Sequence, residues 1–267
     1  MTERQVELVL PAGHTLAVRV LGSGRPIMLV HGFPLDSTIW QKQFDALVQH
    51  GFQVIAPDLR GFGDSSPVTG PMTMADLAED LDHVRSVLVV DRPMALVGLS
   101  MGGYVALEYW KRYASSLDRL ILTDTKPTAD DHDAQKARYA MAERALDSTT
   151  WEAVEPMLEK LLSPDTLAKD AEITQWVKQM MARVPEKTIA AALRAMAERH
   201  DFSGELPSIR VPTLVMAGEH DAISPPNANR TWAAKIPGAA VVIVQSAGHL
   251  PQIENSERFN EALLRFL

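Results

Sequence analysis

The sequence predicts an α/β fold, a mostly parallel sheet with helices on both faces and an inserted helical lid. Short apolar runs rich in Val, Ile and Leu recur along the chain, and helical patterns fall between many of them. This alternation is typical of parallel strands connected by helices. From about Lys126 to about Glu205, by contrast, helical patterns follow one another without a strand pattern. This segment indicates helices inserted between two strands.

Several apolar runs have the length and composition of buried strands. They are Pro26–Val30, Phe52–Ala56, Pro93–Val97, Leu120–Leu122, Thr213–Ala217 and Val241–Val244. The N-terminal part differs, because Val6–Leu10 and Thr15–Leu21 flank the short segment PAGH. We predict an antiparallel hairpin there, at the edge of the sheet.

A helix is predicted after the second buried run. Thr73 stands three residues before Asp76, a spacing typical of a capping box at the start of a helix. The residues that follow place one apolar stripe on a helical face, namely Leu77, Leu81, Val84 and Leu88.

The inserted segment carries successive helical stripes, which are Trp151, Val154, Leu158 and Leu161, then Ile173, Trp176, Val177 and Met180, and then Ile189, Leu193 and Met196. A structureless loop of this length is unusual in a compact domain. We therefore predict a core domain made of residues 1–125 and 206–267, with residues 126–205 forming a helical cap or lid.

The segment VGLSMGGYVAL joins a predicted strand to a predicted helix and contains Ser100 between Gly98 and Gly102. A sharp strand-to-helix turn strains the backbone of its central residue and leaves room only for small neighbours. The N-terminus of the helix also offers unpaired N–H groups and the positive end of the helix dipole. This G-x-S-x-G arrangement is typical of a nucleophile elbow, which predicts that Ser100 is a nucleophile.

Further polar residues follow other predicted strands, namely the loop His31–Pro34, Asp221 and His249. Ligands bind at the carboxyl ends of parallel strands, where such residues converge. Acyl transfer requires a nucleophile, a base, an acid that orients the base, and donors for the oxyanion. The residue types at these strand ends suit that chemistry.

These motifs resemble those of the α/β-hydrolase family over nearly the whole chain. The segments that carry the resemblance stand in the family's order: HGFP at 31–34, DLRGFGDS at 58–65, GLSMGG at 98–103, GEHD at 218–221 and AGHLPQIENSERF at 247–259. The resemblance implies the α/β-hydrolase fold. Within the family, the helical lid and the length are similar to the carboxylesterase, enol-lactonase and carbon–carbon bond hydrolase branches.

The resemblance implies a role for each matching position. Ser100 matches the nucleophile, His249 the base and Asp221 the acid, in the order Ser, Asp, His along the chain. Phe33 and Met101 match the residues whose backbone N–H groups form the oxyanion hole. Asp124, in LTDT after the run Leu120–Leu122, is an alternative acid, because some branches place the acid after that earlier strand. GEHD is the more common acid loop and favours Asp221, which leaves Asp124 to shape the entry to the lid.

The implied activity is that of a serine hydrolase that cleaves a carboxylic ester or lactone through an acyl-enzyme. A carbon–carbon bond hydrolase, a perhydrolase or an acyltransferase would use the same residues. A receptor-like protein that binds a ligand with little turnover is a further alternative. Haloalkane dehalogenases and epoxide hydrolases carry an aspartate at the elbow, so Ser100 argues against both.

Composition narrows the partners and the location. The chain of 267 residues has a formal net charge of -8 and no basic run, which disfavours nucleic-acid binding. It has no cysteine, which excludes disulfides and fits a reducing compartment. Without a signal-peptide pattern or a long apolar span, we expect a cytoplasmic protein that does not bind membranes. We expect a small-molecule ester or lactone substrate, no cofactor, and no metal, because no cluster has metal-ligand spacing.

Three residues within these motifs are interpreted as structural. His31 is expected to shape its loop by hydrogen bonding rather than to take part in chemistry. Arg60 and Asp64 flank a glycine-containing turn, and we expect an ion pair between them to fix that turn.

Overall fold

The computed structural model of the chain describes residues 4–11, 13–89 and 92–267. These residues form one sheet of eight strands. The strands are β1 (Arg4–Val9), β2 (Thr15–Leu21), β3 (Arg25–Val30), β4 (Phe52–Pro57), β5 (Met94–Leu99), β6 (Leu117–Thr123), β7 (Thr213–Gly218) and β8 (Ala240–Val244). Their order across the sheet is β1-β2-β4-β3-β5-β6-β7-β8.

The sheet is mostly parallel, as predicted. β2 pairs antiparallel with β1 and β4, and the remaining neighbours are parallel. The predicted N-terminal hairpin is therefore confirmed at the sheet edge, although Ala12 of its PAGH segment lies outside the described residues. Every residue of β5 is buried, and successive side chains of a strand point to opposite faces. Both faces of the sheet are thus covered at its centre.

The helices of the described residues are α1 (Gln41–Gln49), α2 (Met74–Leu88), α3 (Met101–Tyr113), α4 (His132–Asp147), α5 (Thr150–Leu161), α6 (Pro164–Lys169), α7 (Ala171–Ala182), α8 (Glu186–Ala197), α9 (Pro226–Ala233), α10 (Pro251–Glu254) and α11 (Ser256–Phe266). α2 begins with the predicted capping box. The Asp76 N–H donates to Thr73 Oγ1 over 3.1 Å, and the Thr73 N–H donates to Asp76 Oδ2 over 2.8 Å. None of these helices is long and apolar enough to cross a bilayer.

The helices α4 to α8 lie between β6 and β7, and we call residues 126–205 the helical insertion. The predicted stripes fall in α5, α7 and α8, and each of these helices has buried residues on its stripe. The sequence reasoning did not identify α4, because its only buried residues are Ala142 and Ala145. A helix that packs through alanines on α8 has no stripe of large apolar side chains to signal it.

A buried ion cluster joins the two ends of the helical insertion. Asp130, near its start, accepts hydrogen bonds from Arg138 and, over 2.7 Å, from Arg199 Nη2 near its end. The Arg199 guanidinium also stacks 4.3 Å above the Tyr104 ring of α3. Burial opposes ionisation of Asp130, but the two guanidinium groups lower its pKa to about 2. The ion cluster therefore ties the start of the insertion to its end, and the stacking of Arg199 on Tyr104 holds this base against the core.

The predicted ion pair between Arg60 and Asp64 is wrong. Arg60 instead forms a bidentate pair with Asp80 of α2, with an Nε–Oδ2 distance of 2.6 Å and an Nη2–Oδ1 distance of 2.5 Å. The Asp80 side chain is nearly buried, whereas Asp64 is exposed. A pair shielded from water is stronger than an exposed one, and only the fold brings α2 against this turn.

Candidate active site

Ser100 occupies a strained turn between β5 and α3. Its backbone has φ 53° and ψ -112°, in a region that costs a residue with a side chain roughly 1–3 kcal/mol. The end of β6 and the residues that follow it hold this conformation. The Ser100 N–H donates to Thr123 O over 2.9 Å, and Thr125 Oγ1 donates to Ser100 O over 2.8 Å. The strain is thus imposed by tertiary contacts, as expected of a functional position.

The glycines around Ser100 are required by close backbone contacts. A Cβ on Gly98 would lie 2.3 Å from Gly102 O, and a Cβ on Gly102 would lie 2.4 Å from Val30 O. A Cβ on Gly32 would lie 3.1 Å from Ser100 Cβ. The loop after β3 therefore lies directly against the turn that carries Ser100, with no space for side chains between them.

Asp221 and His249 form a buried pair at the ends of β7 and β8. His249 Nδ1 donates to Asp221 Oδ2 over 2.9 Å, with 1% and 0% of the two side chains exposed. Asp221 Oδ1 also accepts the N–H groups of Ile223 and Ser224 over 2.8 and 3.1 Å. Ser224 Oγ donates to Asp221 Oδ2 over 2.5 Å. These bonds fix the carboxylate and, through it, the orientation of the imidazole.

The charge state of Asp221 suits this arrangement. Burial opposes its ionisation, but the charge and hydrogen bond of His249, with a hydrogen bond from Ser224, lower the pKa of the Asp221 carboxyl. An ionised Asp221 accepts a hydrogen bond from the Nδ1–H group of His249, which leaves Nε2 unprotonated and free to act as a base. Nε2 is buried and has no hydrogen-bond partner among the described residues.

Asp124, the alternative acid of the sequence analysis, lies beside this pair. It follows β6 with φ 46°, and its Oδ1 accepts the Gly218 N–H over 2.8 Å. Its N–H donates to Met216 O over 2.9 Å. Burial, followed by the charge of Asp221, raises the pKa of Asp124 well above its usual range.

Asp124, Asp221 and His249 also form the one set of three potential metal ligands among the described residues, with their ligand atoms within 4.8 Å of one another. The Asp221 oxygens and His249 Nδ1 already form hydrogen bonds. Asp124 Oδ1 accepts a backbone N–H. We therefore assign the set to hydrogen bonding rather than to a metal, which needs several free donor atoms on one side.

The loop His31–Pro34 brings a second group of backbone donors to the site. His31 Nδ1 lies 2.9 Å from Gly32 O, and the Leu59 N–H donates to His31 Nε2 over 3.0 Å. The predicted loop-shaping role of His31 is consistent with both bonds, and burial lowers its pKa. The N–H groups of Phe33 and Met101 donate to no other described residue. Both amides therefore retain the capacity to bind an anion.

Glu254 links the loop that carries His249 to the helical insertion. Its Oε1 accepts the Gly248 and Leu250 N–H groups over 2.8 and 3.3 Å. Its Oε2 accepts the Ser163 N–H and Thr166 Oγ1, each over 2.7 Å. Glu254 lies within the last motif of the sequence, but no role could be predicted for it, because its partners Ser163 and Thr166 are distant along the chain.

Replacing Glu254 with Gln should therefore lower both stability and turnover. Four donors point at the two carboxylate oxygens, and an amide NH2 would face two of them. We expect the free energy of unfolding to fall by about 1.5–3 kcal/mol. We also expect kcat to fall more than KM rises, because the His249 loop would lose its fixed position. Urea unfolding and steady-state kinetics measure both, with exposed Glu257→Gln as the matched control. Equal behaviour of the two variants would contradict this role for Glu254.

The chain is similar to known proteins over nearly its whole length. Residues 25–256 match the family described as the alpha/beta hydrolase fold. The structure of a thermophilic esterase from Thermogutta terrifontis, with malate bound, superimposes with a TM-score of 0.94. It is 38% identical, over 98% of this chain and 97% of that chain.

Curated relatives have similar coverage and lower identity. The AB hydrolase superfamily protein YisY of Bacillus subtilis is 29% identical over 94% of this chain and 95% of its own length. A non-heme haloperoxidase of Rhodococcus erythropolis is 30% identical over 92% of this chain and 93% of its own. The chain is thus similar to these relatives over nearly its full length, and not through the sheet alone.

Proposed function

Because the chain belongs to the α/β hydrolase family, we propose that it is a serine hydrolase that cleaves carboxylic esters or lactones with Ser100, His249 and Asp221. The observation that carries the proposal is the strained Ser100 next to β6 together with the buried His249–Asp221 hydrogen bond. The 38% identical esterase supports ester chemistry. The substrate is a small molecule.

The proposed reaction is two-step acyl transfer. Ser100 Oγ attacks the carbonyl carbon while His249 Nε2 takes its proton, and Asp221 stabilises the imidazolium. The Phe33 and Met101 N–H groups stabilise the oxyanion, each by roughly 3–4 kcal/mol of barrier. His249 then protonates the leaving alkoxide, and an acyl-enzyme forms on Ser100. Water repeats the sequence and releases the acid. These steps require no cofactor.

The helical insertion is proposed to act as a lid that selects the substrate. It contacts both loops that flank Ser100. The Asp36 N–H donates to Met180 Sδ over 3.3 Å, and Arg183 Nη2 pairs with Asp36 Oδ2 over 2.6 Å, just after the His31–Pro34 loop. On the other side, the His249 N–H donates to Leu161 O over 3.1 Å. A lid held at these points would limit access of water and shape the acyl or alcohol pocket.

Perhydrolysis is the second candidate, and the 30% identical non-heme haloperoxidase is the observation that favours it. The same acyl-enzyme would then be attacked by hydrogen peroxide instead of water, which gives a peracid. The residues proposed for hydrolysis would serve both reactions, so the acceptor decides between them.

Steady-state kinetics with a short-chain p-nitrophenyl ester test the proposal. We expect many turnovers per protein molecule, followed by preferences among a panel of aliphatic esters and lactones. Release of one equivalent of nitrophenol without turnover would instead favour a ligand-binding protein. Adding hydrogen peroxide to the same assay should leave ester cleavage dominant, and a peracid yield that exceeds hydrolysis would favour the second candidate.

A further inference from the structure

A second buried carboxyl group, Asp124, lies against the Asp221–His249 pair. The ligand atoms of these side chains lie within 4.8 Å of one another, and Asp124 is fully buried. Its Oδ1 accepts the Gly218 N–H, whereas its Oδ2 is buried and has no hydrogen-bond partner among the described residues. An unsatisfied carboxylate oxygen is costly in such a place.

The charges around Asp124 disfavour its ionisation. Asp221, after β7, and Glu254, on α10, both act against a negative charge there. His249, after β8, is the third titratable group of the cluster, and its Nδ1 is already bonded to Asp221. Two adjacent buried carboxyl groups share one negative charge more favourably than they hold two. Asp221 bears this charge, because its carboxylate accepts hydrogen bonds from Ile223, Ser224 and His249.

We propose that Asp124 is held as the neutral carboxylic acid and donates its proton from Oδ2 to the Asp221 carboxylate, as a positioning residue of the Asp221–His249 pair. The catalytic consequence rests on the proposed function, whereas the protonation state does not. Burial and the neighbouring Asp221 charge raise the pKa of Asp124. The hydrogen bond from Asp124 in turn contributes to the lowered pKa of Asp221.

The neutral donor has a specific effect on the base. It withdraws part of the charge of Asp221 while leaving that group ionised, so the His249 imidazolium is less stabilised than beside an unshared carboxylate. Removal of the donor should therefore let Asp221 stabilise that imidazolium more strongly. The acid limb of the pH profile of kcat/KM reports this change.

Two substitutions of Asp124 distinguish loss of the hydrogen-bond donor from loss of the titratable carboxyl group. Asn tolerates the positive φ of Asp124, can accept the Gly218 N–H, and can donate an amide N–H to Asp221. Asp124→Asn should therefore keep kcat/KM within about threefold of wild type and leave the acid limb in place. Asp124→Ala lacks the donor, and its acid limb should move up by about half a pH unit or more.

Infrared difference spectroscopy between wild type and Asp124→Asn tests the protonation state without any assay of activity. At pH 7 nearly all of the 34 Asp and Glu residues are ionised. We expect wild type to show the C=O stretch of a protonated carboxylic acid, and the Asn variant to lack it. Absence of this band from wild type, or its persistence in the variant, would overturn the proposal.

Stability gives a further readout. An acid whose pKa is raised by folding releases its proton on unfolding, so the stability it contributes falls as pH rises from about 4 through its folded pKa. The stability of Asp124→Asn relative to wild type should therefore rise over this window. A constant difference would contradict a neutral Asp124. If wild type lacks ester turnover, the proposed function fails while these two measurements still decide the state of Asp124.

Discussion

Ser100→Ala should reduce ester turnover by on the order of 10⁶-fold, to the rate of the uncatalysed background, because loss of the nucleophile from such a triad abolishes the acyl-enzyme route. The fold should persist, since Ala removes one oxygen and the Ser100 backbone bonds to Thr123 and Thr125 remain. The measurement is kcat/KM on a p-nitrophenyl ester, with circular dichroism as the folding check.

Ser246→Ala is the matched control for Ser100→Ala. Ser246 is the other serine with a positive φ among the described residues, at 56°, but it is exposed. Its replacement imposes the same change of side chain at a backbone position of similar positive φ, with the side chain exposed. We expect wild-type turnover in this control. A folded Ser100→Ala variant with more than about a hundredth of wild-type activity would contradict a role as nucleophile.

Asp221→Asn is expected to have the second largest effect, a loss of about 10⁴ in kcat. Both oxygens of Asp221 accept hydrogen bonds, from His249 Nδ1, Ser224 and the backbone. An amide has only one accepting oxygen, so it cannot keep all of these bonds, and the imidazole would adopt the wrong tautomer. The measurement is kcat on a p-nitrophenyl ester, with circular dichroism as the folding check.

Asp124→Asn is the matched control for Asp221→Asn, because it makes the same chemical change a few ångströms away in the same cluster. We expect far smaller loss there. The reverse ranking would move the acid to Asp124, the alternative position after β6. Large and equal losses in two folded variants would mean that the two carboxyl groups share the role.

The sheet could be predicted from the sequence because its buried strands need continuous apolar runs. Strand limits were less predictable where the ends carry polar residues. β6 starts at Leu117, before the predicted Leu120, and includes Asp118 and Arg119. These side chains lie at the partly exposed end of the strand, where apolar composition gives no signal.

In the candidate site, too, local features could be predicted from the sequence and long-range contacts could not. The turn around Ser100 could be predicted because its glycines follow from local backbone geometry, and the close contacts of Gly98 and Gly102 agree with it. The position of Asp124 beside Asp221, and the bonds from Glu254 to the helical insertion, join segments far apart in sequence. No local pattern encodes such contacts, and only the packed fold brings them together. The division into core and lid domains and the cytoplasmic location stay predictions.

Mass spectrometry after reaction with a fluorophosphonate tests the central claim most directly. The reagent reacts with a serine only where a base and oxyanion donors activate it. We predict one adduct per protein molecule, mapped to the peptide that contains Ser100, lost in Ser100→Ala and retained in Ser246→Ala. No adduct on the wild-type protein, or an adduct on another serine, would contradict the assignment of Ser100 as the nucleophile.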